Sequence, residues 1–135
     1  MSFIVSTETD KLDLPWLCAQ IKSQYWGGAL TDAQIIGAVE NSLCFWIHDY
    51  QAENVTPVGF ARVVTDGHIF SSIMDVFVAI PYQRQGHGTK LLQAVFDHPK
   101  VRNTICILAT RDALRFYRGF GFVHFTQGVM KRDPQ

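Results

Sequence analysis

The stretch Tyr82-Gln83-Arg84-Gln85-Gly86-His87-Gly88-Thr89-Lys90-Leu91-Leu92 sets two glycines between a β-branched run and an apolar helical run. The preceding residues, Met74-Asp75-Val76-Phe77-Val78-Ala79-Ile80, read as a strand. The following ones place Leu91, Leu92, Val95 and Phe96 on one side of a helix. A glycine-rich strand-to-helix turn exposes several backbone N–H groups at the positive end of a helix dipole, which suits an anion. Spacing excludes two familiar versions. A dinucleotide-binding G-x-G-x-x-G needs glycine where Leu91 stands, and a P-loop needs Lys before Ser or Thr, whereas Thr89 precedes Lys90 here. What remains is Gln/Arg-x-x-Gly-x-Gly/Ala, from Gln83 to Gly88. Glycine lets the main chain approach a ligand closely and take positive φ, so a diphosphate is the favoured guest.

Working outward, the chain reads as one α/β domain over residues 1–135. The expected order is a strand (Ser2–Ser6), two helices, three antiparallel strands, a helix, a strand, a short helix and a final strand pair. Asp13 caps the first helix, with Pro15 in its first turn. Thr31 and Gln34 form a capping-box pattern at the second. Ser42–Asp49 and Pro57–Thr65 are rich in β-branched and aromatic residues, with Tyr50–Thr56 as a hairpin loop. Asp66-Gly67 signals a tight turn into the next strand. Thr104–Thr110 is so apolar that both its faces are expected to be covered. Phe122–Arg132 reads as the closing strand pair.

Composition narrows the partners. Twelve basic residues balance twelve acidic ones, which offers no electrostatic reason for nucleic acid or an anionic membrane. No apolar run reaches the roughly 18 residues of a membrane span. No secretory signal is visible at the start of the sequence, so a cytoplasmic location is expected. Cys18, Cys44 and Cys106 make no CxxC pair and read as buried, reduced thiols. The five histidines lack metal-ligand spacing, so no metal is expected.

About thirty residues past the glycine loop stands Ala113-Leu114-Arg115-Phe116-Tyr117-Arg118-Gly119-Phe120-Gly121-Phe122. With this second segment the chain resembles the GNAT family of N-acetyltransferases across nearly its whole order of elements. Asp75–Leu92 is similar to the family's acetyl-CoA signature, and Ala113–Phe122 to its Ala-x-x-x-Tyr-x-x-x-Gly-Phe segment.

The resemblance implies an α/β (α+β) fold. Its mixed, mostly antiparallel central sheet would have about six to seven strands, a splayed parallel pair in the middle and about four helices on both faces. It implies acetyl-CoA as co-substrate. The pyrophosphate would lie on the main chain of Gln85, Gly86, His87, Gly88 and Thr89, within a loop that begins at Gln83. Arg84 and Lys90 would add charge-assisted contacts to phosphate oxygens. Phe77 and Val78 would line the slot for the thioester, with a backbone N–H near Val78 facing its oxygen. Tyr117 would protonate the departing thiolate; a phenol, with a reference pKa of about 10, holds that proton at neutral pH. Thr110 stands where many members carry an Asn that bonds the coenzyme arm, a departure from the family pattern.

An amine acceptor must lose a proton before or during attack. Asp75, interrupting an apolar strand, is the favoured base, with Glu40 and Asp112 as weaker options. Tyr25 and Trp26, in the break between the first two helices, are candidates for holding a cationic amine on their aromatic faces. The expected acceptor is a small-molecule amine or a peptide, with the small molecule favoured, and the expected state a monomer or homodimer. The alternative is an acyl-CoA-binding module without catalysis.

Overall fold

The computed structural model describes residues 2–52, 55–125 and 128–135. Its elements are β1 (Phe3–Ser6), α1 (Leu14–Ser23), α2 (Asp32–Glu40), β2 (Leu43–Asp49), β3 (Pro57–Thr65), β4 (Phe70–Val78), α3 (His87–Asp97), β5 (Ile105–Ile107) and α4 (Leu114–Arg118). The strands form one sheet in the order β1-β2-β3-β4-β5. The first four run antiparallel, and β5 lies parallel to β4.

Local chemistry explains the helix ends. The Asp13 carboxylate accepts the Trp16 N–H at 3.0 Å, and the Thr31 hydroxyl and Gln34 side chain cap α2 reciprocally. The turn after α1 requires glycine at position 27. A Cβ there would sit 2.0 Å from the Ile21 carbonyl oxygen, so the chain closes tightly behind the helix, leaving Tyr25 exposed while Trp26 packs on the core beneath α1 and α2.

Alternation along the strands divides the core. Phe45, Ile47, Ala61, Val63 and Ile73 pack with Leu91, Leu92 and Val95 of α3. Cys44, Trp46, Phe60 and Phe77 pack with Leu17, Ile21, Ile35 and Val39 of α1 and α2. Ile73 and Phe77 are four residues apart on one strand yet face opposite layers. The cause is a register shift: Phe60 pairs with Phe77 and Arg62 with Met74, so Asp75 and Val76 together oppose Ala61. Asp75 takes φ 53°, the left-handed region, and the bulge turns every later side chain of β4 over.

Three expectations need correction. The sheet has five strands among the described residues, not six to seven, and the parallel pair lies at its end rather than in its middle. The described residues of Phe122–Arg132 form no strand, and Thr126 and Gln127 lie outside the described residues, as do Glu53 and Asn54 of the Tyr50–Thr56 loop. Gly121 turns the chain at φ 91°, Phe122 N–H bonds back to the Tyr117 carbonyl, and Phe120 and Phe122 pack on Phe96, so this end is anchored by aromatic contact rather than a ladder. Consequently β5 is short and its apolar residues are open: Ile105 is 66% exposed.

Candidate active site

The parallel pairing of β4 with β5 covers only Phe70–Ser72 against Ile105–Ile107. Beyond it β4 continues to Val78, while the other chain runs on through Leu108, Ala109 and Thr110 without pairing. The strands part into a cleft of about 1020 Å³, entered from the side of the α1–α2 turn. Tyr25, Trp26, Asp75, Phe77, Val78, Gln83, Thr110 and Tyr117 all line it, so the fold gathers residues from four separate stretches of sequence.

Tyr117 lies on α4, which ends at Gly119, and its side chain is buried beside Phe116 and Phe122. Burial pushes its phenol up to about 12, and the nearby Tyr25 phenol acts in the same direction. Thr110 accepts the Ala113 N–H on its hydroxyl oxygen at 3.0 Å, just ahead of α4, and lines the cleft. Gln83 donates from Nε2 to the Val78 carbonyl at 2.9 Å and Gln85 to the Pro81 carbonyl at 3.2 Å. Gln83 therefore braces the loop against the end of β4, and Gln85 ties it back on the Ile80–Tyr82 turn.

Asp75 is held at its strained bulge by Arg62, whose Nε–H donates to Oδ2 at 2.6 Å. Arg62 also donates from Nη1 to the Ser42 hydroxyl at 3.1 Å. Both members of the ion pair are largely buried. Asp75 Oδ1 receives no donor among the described residues. Sequence reasoning missed Arg62, because only the cross-strand register reveals which β3 residue meets the bulge.

The glycine loop has the character of a cradle. Gly86 is the N-cap of α3 at φ 84°, with open space where a Cβ would point. The main-chain N–H groups of Gln85, Gly86, His87, Gly88 and Thr89 have no acceptor among the described residues. Unpaired amides around a helix N-terminus fit a diphosphate, which supplies the acceptor oxygens they lack. Gly88 sits close to Val78 and Phe116, joining this cradle to the cleft.

Other assigned side chains turn elsewhere. Lys90 donates from Nζ to the Phe3 carbonyl of β1, so its charge is drawn to the far side of α3 rather than to a phosphate. Arg84 stays exposed at φ 62°. The His87 ring is buried against Phe3, with centroids 4.2 Å apart, and burial lowers its pKa. A second, shallow groove of about 520 Å³ runs between Ile4, Val5 and α3, with Lys90 at its edge. Gly86 and Thr89 of the glycine turn line it too, whereas none of the residues lining the cleft does.

Tyr25 also departs from expectation. Its ring carries the chain's own guanidinium, with Arg111 Cζ 3.7 Å from the ring centroid. The aromatic face expected to hold an amine is thus occupied from across the cleft. Arg111 directly follows Thr110, just before the second signature, and that adjacency was its only signal in the sequence. Among the described residues, no group of His, Cys, Asp and Glu side chains is arranged to hold a metal ion, and no helix is long and apolar enough to cross a membrane.

The overall fold recurs in known proteins. An acetyltransferase (GNAT) domain model matches residues 40–124. A candidate GNAT acetyltransferase from Xanthomonas campestris pv. campestris superposes with a TM-score of 0.89 at 29% identity, covering 99% of this chain and 94% of that one. A Staphylococcus aureus protein of unknown function, classed as a candidate acetyltransferase, gives a TM-score of 0.77 over 98% of this chain and 100% of its own. Its 21% identity speaks to the fold alone. In sequence, a candidate acetyltransferase of Gibberella zeae is 26% identical over 135 residues, 85% of this chain and 75% of the relative. The chain belongs to the GNAT family of acetyltransferases, whose acyl donor is acetyl-CoA.

Proposed function

We propose that the protein acetylates a primary amine on a small molecule by direct attack, with donor and acceptor bound together. The observation that carries this reading is the parting of β4 from the segment after β5, with Tyr117 and Asp75 both lining the cleft and Val78 joining it to the unpaired amides beside Gly88. Acetyl-CoA supplies the chemistry of a thioester, an activated acyl group. The amides of Gln85–Thr89 hold its diphosphate and so fix where the acyl group lies. Phe77 and Val78 wall the slot, and a main-chain N–H near Val78 faces the acyl oxygen, where negative charge develops.

Asp75 accepts the amine proton on Oδ1 while Arg62 holds the carboxylate by Oδ2. Tyr117 holds a proton for the departing sulfur; a phenol pushed up to about 12 keeps it throughout the neutral range. No cysteine lines the cleft, and burial pushes the Cys44 thiol up to about 11, which disfavours a covalent relay through a thiolate. A small acceptor is favoured because Tyr25 and Arg111 meet across the cleft and narrow the approach.

The test couples calorimetry with acetyl-CoA to a thiol-release assay over a panel of small amines and peptides. Binding with turnover of small amines is expected. Folded protein that takes up neither acetyl-CoA nor coenzyme A would overturn the reading, and binding without turnover on any amine would favour the acyl-CoA-binding module.

A further inference from the structure

The charged groups lining the cleft are Arg62, Asp75, Arg111 and Asp112. Arg62 and Asp75 neutralise each other in an ion pair. The other two are consecutive in the chain, exposed, and form no salt bridge among the described residues. Arg111 is not loose, however. Its guanidinium stacks on the Tyr25 ring at 3.7 Å, which orients the planar fork without using up its N–H groups. Tyr25, Arg111 and Tyr117 line the same cleft, so the guanidinium faces the space the Tyr117 phenol shares.

We infer that Arg111, held by Tyr25, is a specificity-determining residue that selects amines carrying an oxyanion, a carboxylate or phosphate, a short distance from the reacting nitrogen. A guanidinium presents paired N–H donors that match either group bidentately, and stacking has already removed much of its rotational freedom. Asp112 supplies the opposite charge at the same mouth and suits the acceptor's ammonium before it loses its proton. Together the two unpaired side chains complement a molecule that itself carries both charges. Polycationic amines meet the guanidinium and are disfavoured.

This inference rests on the proposed amine acetylation, and its test separates the two. Thiol release is measured for matched pairs: β-alanine against propylamine, free amino acids against their amides, and 2-aminoethyl phosphate against ethanolamine, with spermidine as the cationic control. Oxyanion-bearing members are expected to show kcat/KM higher by about tenfold or more, carried mainly by KM. Arg111→Ala should collapse that ratio toward one, and Arg111→Glu should invert it. Carboxylate and phosphate pairs measured separately show which oxyanion is preferred. Calorimetry with acetyl-CoA reads the donor side independently. If wild-type protein binds acetyl-CoA but shows no preference within the pairs, prefers spermidine, turns over none of the oxyanion-bearing amines, or keeps its preference in Arg111→Ala, the inference falls while the donor assignment stands. If acetyl-CoA does not bind, both fall.

Discussion

Replacing Asp75 with Asn separates a proton acceptor from a structural pin. Asn tolerates the left-handed backbone at φ 53° about as well as Asp, and its amide oxygen still accepts the Arg62 Nε–H. The bulge should therefore persist, with a melting temperature close to that of the wild type. What Asn cannot do is take a proton at neutral pH, so kcat should fall by roughly a hundred- to ten-thousand-fold, the usual range for losing a general base. Arg62→Ala makes the converse change. It strands a carboxylate whose side chain is only 12% exposed, at a distance where the pair was 2.6 Å apart. Breaking a buried pair this way costs about 3 kcal/mol, which in a domain of this size lowers the melting temperature by about 10 °C. The assays are thiol release at saturating acetyl-CoA and thermal unfolding by circular dichroism. Asp75→Asn with a rate within threefold of wild type would show that the proton leaves by another route. Arg62→Ala with an unchanged melting temperature would show that the ion pair does not hold the bulge.

Gly86→Val places a β-branched residue at φ 84° and projects its side chain into the open cradle; acetyl-CoA should bind at least about tenfold more weakly by calorimetry. Tyr117→Phe should leave acetyl-CoA affinity unchanged and reduce kcat by about a hundredfold. Because the folded phenol is raised to about 12, the wild-type rate should not decline from pH 7 to about 10, and a decline there would contradict Tyr117 as the acid. Asp66 accepts N–H bonds from His68, Ile69 and Phe70, which hold its carboxyl down at about 2. A depressed pKa stabilises the fold above the unfolded value and loses that contribution as pH falls toward 2. Asp66→Ala should thus lower the melting temperature at pH 7, with the gap from wild type shrinking as pH falls through about 4 to 2.

Signals that act over a few residues were legible without coordinates. The caps at Asp13 and Thr31 rely on a side chain reaching a main-chain N–H three residues on, and the structure has both. The turn at Asp66-Gly67 and the amphipathic α3 are equally local. Apolarity alone misled at Thr104–Thr110. A run of apolar residues cannot say whether a layer covers each face, and here Cys106 packs on the core while Ile105 and Ile107 on the other face are exposed. The strand pair expected at Phe122–Arg132 failed for a related reason: strand propensity is met only when an edge is in reach and in register.

By itself the sequence determined the glycine turn that opens α3, because φ 84° at Gly86 and unpaired amides at a helix start are properties of adjacent residues. It also supplied the two signatures that mark the family, Asp75–Leu92 and Ala113–Phe122. Only the tertiary structure decided what surrounds them. A one-residue offset at Asp75 turns Phe77 to the opposite layer, Arg62 reaches the bulge from the next strand, and Arg111 meets Tyr25 across 86 positions of chain. Side-chain direction in a sheet depends on register, and register is set by pairing between segments far apart in sequence, so these contacts exist only once the strands have met.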